Sequence, residues 1–292
     1  MAKVLIGFFI VAVLLVVAAV IFTFSQPAAP QTPLPQPNGY DDFVKAGGMV
    51  SDNASDYVTM SEEELRAFVR KNAEALKLAR VGLGRGCRVP LEYSATSTTN
   101  LYNLPLIKRL AQAMTAEGRL AEMENRPADA AEAYLAVIRL GCAMSQGGLI
   151  IDSLVDIAIE SIGTTGMQRL APTLDAKQCR EAAAALELCE ARRDPTEVIR
   201  AQERAWARRT WGFKGQIAGL FTFKTLRQIE QKWVSKANAQ QTRTRSLLVQ
   251  LAARAYELEK GERPKSVADL VPAYLKTIPQ DPATGTNLAY HP

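Results

Sequence analysis

Residues 106–141 read "LIKRLAQAMTAEGRLAEMENRPADAAEAYLAVIRLG", and their spacing decides the fold class. Apolar residues recur at three- and four-residue intervals on both sides of "ENRP", which is the period of an amphipathic helix. Pro127 stands at a first-turn position, where its missing N–H leaves no bond unmade. The stretch therefore predicts a helical hairpin: a long helix over about Leu104–Asn125, then one from Pro127 to about Leu140. Ala130, Ala131 and Ala133 offer small contacts in the second helix, beside the aromatic Tyr134.

The same period extends outward in both directions. Upstream, "SEEELRAFVRKNAEALKLARVGL" opens with Ser61 and Glu64 at capping-box spacing and places Leu65, Phe68, Val69, Leu76 and Val81 at helical intervals. "GLGRGCRVP" stops it; its glycines follow a helix and not a strand, so they read as a terminator and not a phosphate loop. Downstream, "SQGGLIIDSLVDIAIESIGTTGMQRL" is apolar around most of its circumference and reads as a buried helix. "DAKQCREAAAALELCEARR" is an alanine-rich helix stopped by Asp194-Pro195. Thr196 to Lys260 reads as mainly helical, interrupted around "WGFKGQIAGLFTF". With no sustained period-two run, the expectation is all-α, an irregular multi-helix bundle.

Composition narrows the chemistry. In 292 residues, 48% hydrophobic, there is one histidine, His291, so a catalytic triad or a multi-histidine metal site is not expected. Cys87, Cys142, Cys179 and Cys189 include no C-x-x-C pair, and no G-x-S-x-G occurs. No cofactor and no metal are expected.

Val4–Phe24, "VLIGFFIVAVLLVVAAVIFTF", runs 21 residues without a charge. At 1.5 Å per residue it matches a bilayer core of about 30 Å and exceeds the core of a signal peptide. Lys3 precedes it and no charge follows until Asp41, so the positive-inside tendency keeps the N-terminus in the cytoplasm and the bulk outside. The expected location is the cytoplasmic membrane of a bacterium, with residues 4–24 as a single-pass signal-anchor. Gly7 is followed by "FFIVAV" without an acid, which is not a prepilin start. Prolines at 27, 30, 33, 35 and 37 make a stiff spacer. The organisation expected is an anchor over 1–24, spacer and entry segment over 25–58, helical domain over 59–245, and a C-terminal helix with tail over 246–292.

Two resemblances add to this. The 106–141 hairpin resembles a single tetratricopeptide unit, without the tryptophan and Leu-Gly signals of its first helix. The C-terminal "YELEKGERP", "SVADLVPAYL" and "IPQDPATGTNLAY" resemble pseudopilin-like tails and membrane-anchored helical proteins of planctomycete-type bacteria, whose middle region is similar to "GGLIIDSLVDIAIES". The likeness implies a structural role for the tail and brings no activity. Physically, Gly261 caps a helix, Pro264 prevents its continuation, Ser266 and Asp269 start a short one, and Asp281-Pro282 with Gly285 form the last turn.

Three constellations are candidates for function. Asp152, Asp156 and Glu160 stand at i, i+4 and i+8, one carboxylate strip on an apolar helix. They are the only catalytic candidates; if the strip faces inward it needs a basic partner, expected from the Arg200–Arg209 helix. The segment Arg200–Arg245 carries eleven Lys/Arg against Glu203 and Glu230, a net +9 in a chain of +5, and holds Trp206, Trp211 and Trp233. Arg208, Arg209, Lys214, Lys224, Arg227 and Lys232 are candidate contacts to an anionic lipid or cell-wall polymer, nucleic acid not being expected outside the cytoplasm. The alternative is that its aromatics are core and its charges paired. Cys179 and Cys189, ten residues apart on one helix, cannot pair with each other. Disulfides would be Cys87–Cys179 with Cys142–Cys189, or Cys87–Cys189 with Cys142–Cys179, the alternative being four buried thiols.

The reading these support is a non-enzymatic, membrane-anchored interaction or envelope-scaffold module whose partner is another envelope protein. A carboxylate-dependent envelope hydrolase and an accessory component of a secretion or pseudopilus system are the alternatives.

Overall fold

The computed structural model describes residues 10–14, 16–17, 32–51, 54–92 and 99–288. Of the anchor assigned to Val4–Phe24, only 10–14 and 16–17 fall among these, and they are helical and exposed; the rest lies outside the described residues. No helix among the described residues is long and apolar enough to cross a membrane. Contacts divide the chain after Thr32, and Pro33–Pro292 form one compact unit.

That unit is all-helical, as the periodicity predicts. Among its described residues eight α-helices follow one another: α1 Gly39–Met49, α2 Glu62–Lys71, α3 Ala73–Leu83, α4 Thr99–Met123, α5 Pro127–Met144, α6 Ile150–Leu170, α7 Ala176–Arg192 and α8 Thr196–Lys260. Short 3-10 turns occupy Ala54–Val58, Ala171–Thr173 and Val267–Leu270. Among the described residues the only β feature is an isolated bridge between Gln280 and Asn287.

Several boundaries follow local chemistry. Ser61 Oγ accepts from Glu64 N, and the Glu64 carboxylate accepts from Ser61 N at 2.7 Å, completing the capping box that starts α2. Pro127 opens α5. Gly261, at φ +75°, closes α8 in the left-handed conformation that a side chain would disfavour. Asp269 accepts from Ser266 N at 2.8 Å at the start of the last 3-10 turn.

Two elements differ from the reading of the sequence. The single helix expected after Ser61 is two, broken at Asn72. That side chain is buried; it donates to Phe68 O at 2.9 Å and accepts from Ser51 N at 2.8 Å, so a distant segment captures it and the helix restarts at Ala73. Val81, one of the apolar residues at helical intervals, is exposed beyond that break, whereas Leu65, Phe68 and Leu76 are buried.

Helical backbone runs through the whole of α8, yet Arg200 and Arg204 both reach Glu230. Thirty residues of straight α-helix would hold Arg200 and Glu230 about 45 Å apart. The path therefore doubles back between Arg204 and Glu230, the region where an interruption is expected from the sequence. Glu203 in the first arm accepts from Ile150 N, while Trp233 in the second donates to Ser153 Oγ at 3.0 Å. Both arms thus lie against the start of α6.

Two apolar clusters hold the bundle. One gathers Tyr40, Phe43, Leu65, Phe68, Ile107 and Leu110 from α1, α2 and α4. The other gathers Met167, Leu186, Leu247, Leu251, Leu270 and Leu275 from α6, α7, α8 and the tail. Helix α5 serves both, through Ala130, Tyr134, Ile138 and Cys142 on one face and Val137, Leu140 and Met144 on the other. Its three- and four-residue spacing on each face is why this helix is mostly apolar.

Candidate functional site

The carboxylate strip of α6 is buried along its whole length: Asp152, Asp156 and Glu160 are each at most 1% exposed. The packing of α6 on α5 explains this. A Cβ at Gly141 would stand 3.1 Å from Glu160 N and 3.0 Å from Asp156 Oδ1, and one at Gly163 would stand 2.9 Å from Tyr134 O. Glycine at these two positions lets the helices approach closely and shuts water out from between them.

The basic partner exists, but it is Arg193 and not the Arg200–Arg209 helix. Arg193 Nη2 donates to Glu160 Oε1 at 2.7 Å and Nη1 lies 3.5 Å from Asp156 Oδ2. Its Nε reaches Glu190 at 3.1 Å, and Glu190 also accepts from Arg245 Nε at 2.8 Å. Arg200 and Arg204 are engaged by Glu230 instead. Arg193 lies where α7 has ended and Asp194-Pro195 has turned the chain, so its side chain returns to the interior while α8 leaves in another direction.

Glu160 has further donors. Thr244 Oγ1 donates to Glu160 Oε1 at 2.8 Å, and Gln240 and Thr164 complete a polar chain across α6 and α8. Asp152 is served differently. Its Oδ2 accepts from Leu149 N at 2.7 Å, capping α6, and the charge that acts on it is the like-charged Glu203. One oxygen of each acid, Asp152 Oδ1, Asp156 Oδ1 and Glu160 Oε2, has no hydrogen-bond partner among the described residues.

These environments decide protonation. Burial, with Glu203 nearby, pushes Asp152 up to about 6. Burial and the adjacent Glu160 push Asp156 up to about 7, against the pull of Arg193. Glu160 is raised by burial although Arg193 and Thr244 oppose the shift. Burial acts to lower Arg193, but Glu160, Cys142, Asp156 and Glu190 together hold it well above its ordinary range. Asp156 and Glu160 therefore titrate as a coupled pair, both raised by burial and both pulled down by Arg193.

Beside the cluster lies a cavity of 370 Å³ lined by Asp156, Glu190, Arg193, Arg245, Asn238 and Gln241 among others. Its four carboxylates, Asp156, Glu190, Asp194 and Glu197, are all engaged: Glu190 by two arginines, Asp194 by Gly147 N at 2.8 Å, Glu197 by Thr196 Oγ1 at 3.1 Å and Asp156 by Arg193. Among the described residues no group of histidine, cysteine and carboxylate side chains is placed to hold a metal ion.

All four cysteines are free thiols. Cys142 of α5 and Cys189 of α7 are close enough to act on each other's titration, and Cys142 Sγ lies 4.0 Å from Glu160 Oε1 and 3.7 Å from Arg193 Nη2. Cys87 donates to Ala143 O at 3.4 Å and burial pushes it up to about 12; Cys179 is raised by burial to about 11. Of the bridges considered from the sequence, Cys142–Cys189 is the one whose two thiols are coupled neighbours, and neither is bridged.

The basic-aromatic segment divides. Trp233 is core, and Trp206 donates to Glu92 O at 2.8 Å. Trp211, Leu226 and Ile229 are exposed, as are Arg227 and Lys232. Arg209 is exposed and Arg208 half-buried, while the side chains of Lys214 and Lys224 lie outside the described residues. Sequence reasoning missed Arg193, Glu190 and Thr244 as partners of the strip; the one signal was the "ARRDP" stop, which places two arginines where a chain must turn. No known protein family, characterised protein or solved structure matches the chain.

Proposed function

We propose that this chain is a helical interaction or scaffold module tethered to a membrane by residues 4–24, with a non-enzymatic role in the cell envelope. The observation that carries the non-enzymatic part is the state of the three candidate acids. A pair of carboxylates working on a substrate must face it, whereas these are buried and two of them engage Arg193. The network reads as a device that fixes how α5, α6, α7 and α8 meet.

For interaction, five consecutive residues from Thr225 to Ile229 are exposed, so this part of α8 projects from the bundle with Leu226 and Ile229 flanking Arg227. Exposed apolar side chains beside basic ones suit another envelope protein or an anionic surface. A photo-crosslinker at Leu226, in intact membranes, is expected to yield one discrete protein adduct. Crosslinks to lipid alone would move the reading to surface binding, and no adduct at all would count against an interaction role. Alkaline extraction is expected to leave the full chain with the membrane and to release the chain lacking residues 1–24.

A carboxylate-dependent envelope hydrolase is the second reading, favoured by Asp156 raised to about 7 beside a 370 Å³ cavity. It requires Asp156→Asn to abolish hydrolysis of cell-wall material by a protein that remains folded.

A further inference from the structure

A second cavity, of 290 Å³, opens between α4, α5, α6 and the 3-10 turn Ala54–Val58. Its lining includes Arg119 and Arg169 with the hydroxyls of Tyr57 and Ser161, and no acidic residue. The two arginines differ in one respect. Arg169 is held by a bidentate pair to Glu122, at 2.7 and 3.0 Å, and donates to Tyr134 Oη at 3.0 Å. Arg119 Nε is fully buried and has no hydrogen-bond partner, and among the described residues no ion pair engages this guanidinium. A desolvated donor on a cation is among the more expensive groups to leave unmade.

The neighbouring groups are donors too. Ser161 Oγ accepts from Arg243 Nη1 at 2.9 Å, which leaves its own O–H to give. Tyr57 lies in the field of both Arg119 and Arg169. The wall behind them is rigid: a Cβ on Gly118 would meet the Tyr134 ring at 2.9 Å and one on Gly166 would meet it at 2.5 Å. Glycine on α4 and on α6 therefore lets the ring be clamped between the two helices.

We propose that this cavity binds a small phosphate-bearing ligand, with the Arg119 guanidinium as its principal contact and the Ser161 and Tyr57 hydroxyls completing the cradle. Arg119 of α4, Ser161 of α6 and Tyr57 of the 3-10 turn line the cavity from three elements, an arrangement that suits a tetrahedral oxyanion better than a planar carboxylate. A guanidinium fork matches two phosphate oxygens at once. The volume, 290 Å³, falls just below the about 300–1,000 Å³ of small-molecule sites, so the ligand is free phosphate or a small phosphomonoester.

The test is calorimetric titration of the detergent-solubilised full chain with inorganic phosphate, glycerol phosphate and acetate. Saturable binding of either phosphate probe, tighter than acetate, is expected. Tighter inorganic phosphate would identify the free ion as the ligand, and tighter glycerol phosphate a monoester. Arg119→Met is expected to weaken binding by more than about tenfold, the loss of one charge-assisted contact. Arg66→Met, at an exposed ion pair elsewhere, should leave it unchanged. If Arg119→Met fails to fold, Tyr57→Phe with Ser161→Ala carries the test and is expected to weaken binding by about fivefold or more. No saturable binding of either phosphate probe up to about 10 mM, acetate binding as tightly as phosphate, or an unchanged affinity in folded variants would overturn the proposal.

Discussion

Glu160 and Asp152 lie two helical turns apart on one face of α6 and are equally inaccessible to water. Glu160 has a guanidinium and a hydroxyl; Asp152 has one backbone N–H and a like-charged neighbour in Glu203. The same functional group, in the same helix at the same depth, thus does two jobs. At one end it is a charged hub joining three helices, and at the other a cap that keeps its proton to about pH 6. Burial alone does not decide whether a carboxylate stabilises; the distance to a cation does.

Removing the cation should break this contrast most severely. Arg193→Met is expected to cost about 3–5 kcal/mol in urea unfolding, because Glu160 and Asp156 would then be buried with no countercharge. Thr244→Val removes one charge-assisted hydrogen bond to Glu160, and the same measurement should register a loss of about 2 kcal/mol.

Asp156 sharpens the comparison through pH. Its carboxyl titrates near 7 in the fold against an ordinary 3.8, and Asp152 near 6, so the folded state binds the extra protons. Their contribution to stability is most favourable at low pH, falls as pH rises from about 4 through those folded values, and is fully lost above about pH 7. Asp156→Asn should therefore gain about 1–2 kcal/mol over the parent at pH 8 and nothing at pH 4, Arg193 still being balanced by Glu160 and Glu190. Urea midpoints of both proteins across pH 4–8 check this; parallel curves would refute it. The smallest effect is expected at the other end. Asp152→Asn keeps an oxygen to cap α6, and its stability at pH 5 should stay within about 1 kcal/mol of the parent.

What was legible in the sequence is what short-range spacing encodes. The hairpin at Pro127, the Ser61 cap, the Gly261 stop and the all-helical class depend on residues within a turn or two of one another. The break at Asn72 depends on Ser51, twenty-one positions away, and looks from nearby sequence like an ordinary polar residue on a continuing helix. The partner of the strip failed for the same reason. Charge arithmetic pointed to the richest basic run, whereas Arg193 reaches Glu160 across thirty-three positions because of where α7 stops. Burial of the strip could be anticipated from its apolar surroundings; the identity of its countercharge could not. The cavity at Arg119 left no sequence signal, since its donors come from three separate elements.

Asn38 has a mechanical consequence. Its side chain donates to Arg88 O at 2.8 Å and accepts from Arg88 N at 3.0 Å, and Gly39 N donates to Gly86 O at 2.8 Å. A Cβ at Gly39 would stand 2.6 Å from Gly82 O, so the clasp closes only around glycine. Tension applied to the chain ahead of Asn38 enters the bundle through these three bonds, which share the load before α1 can peel from α3. The clasp works as a strain relief: a pull on the leading segment is borne at a seam of one side chain and the backbone it grips, and the buried charge network some hundred residues further along is spared the first of the force.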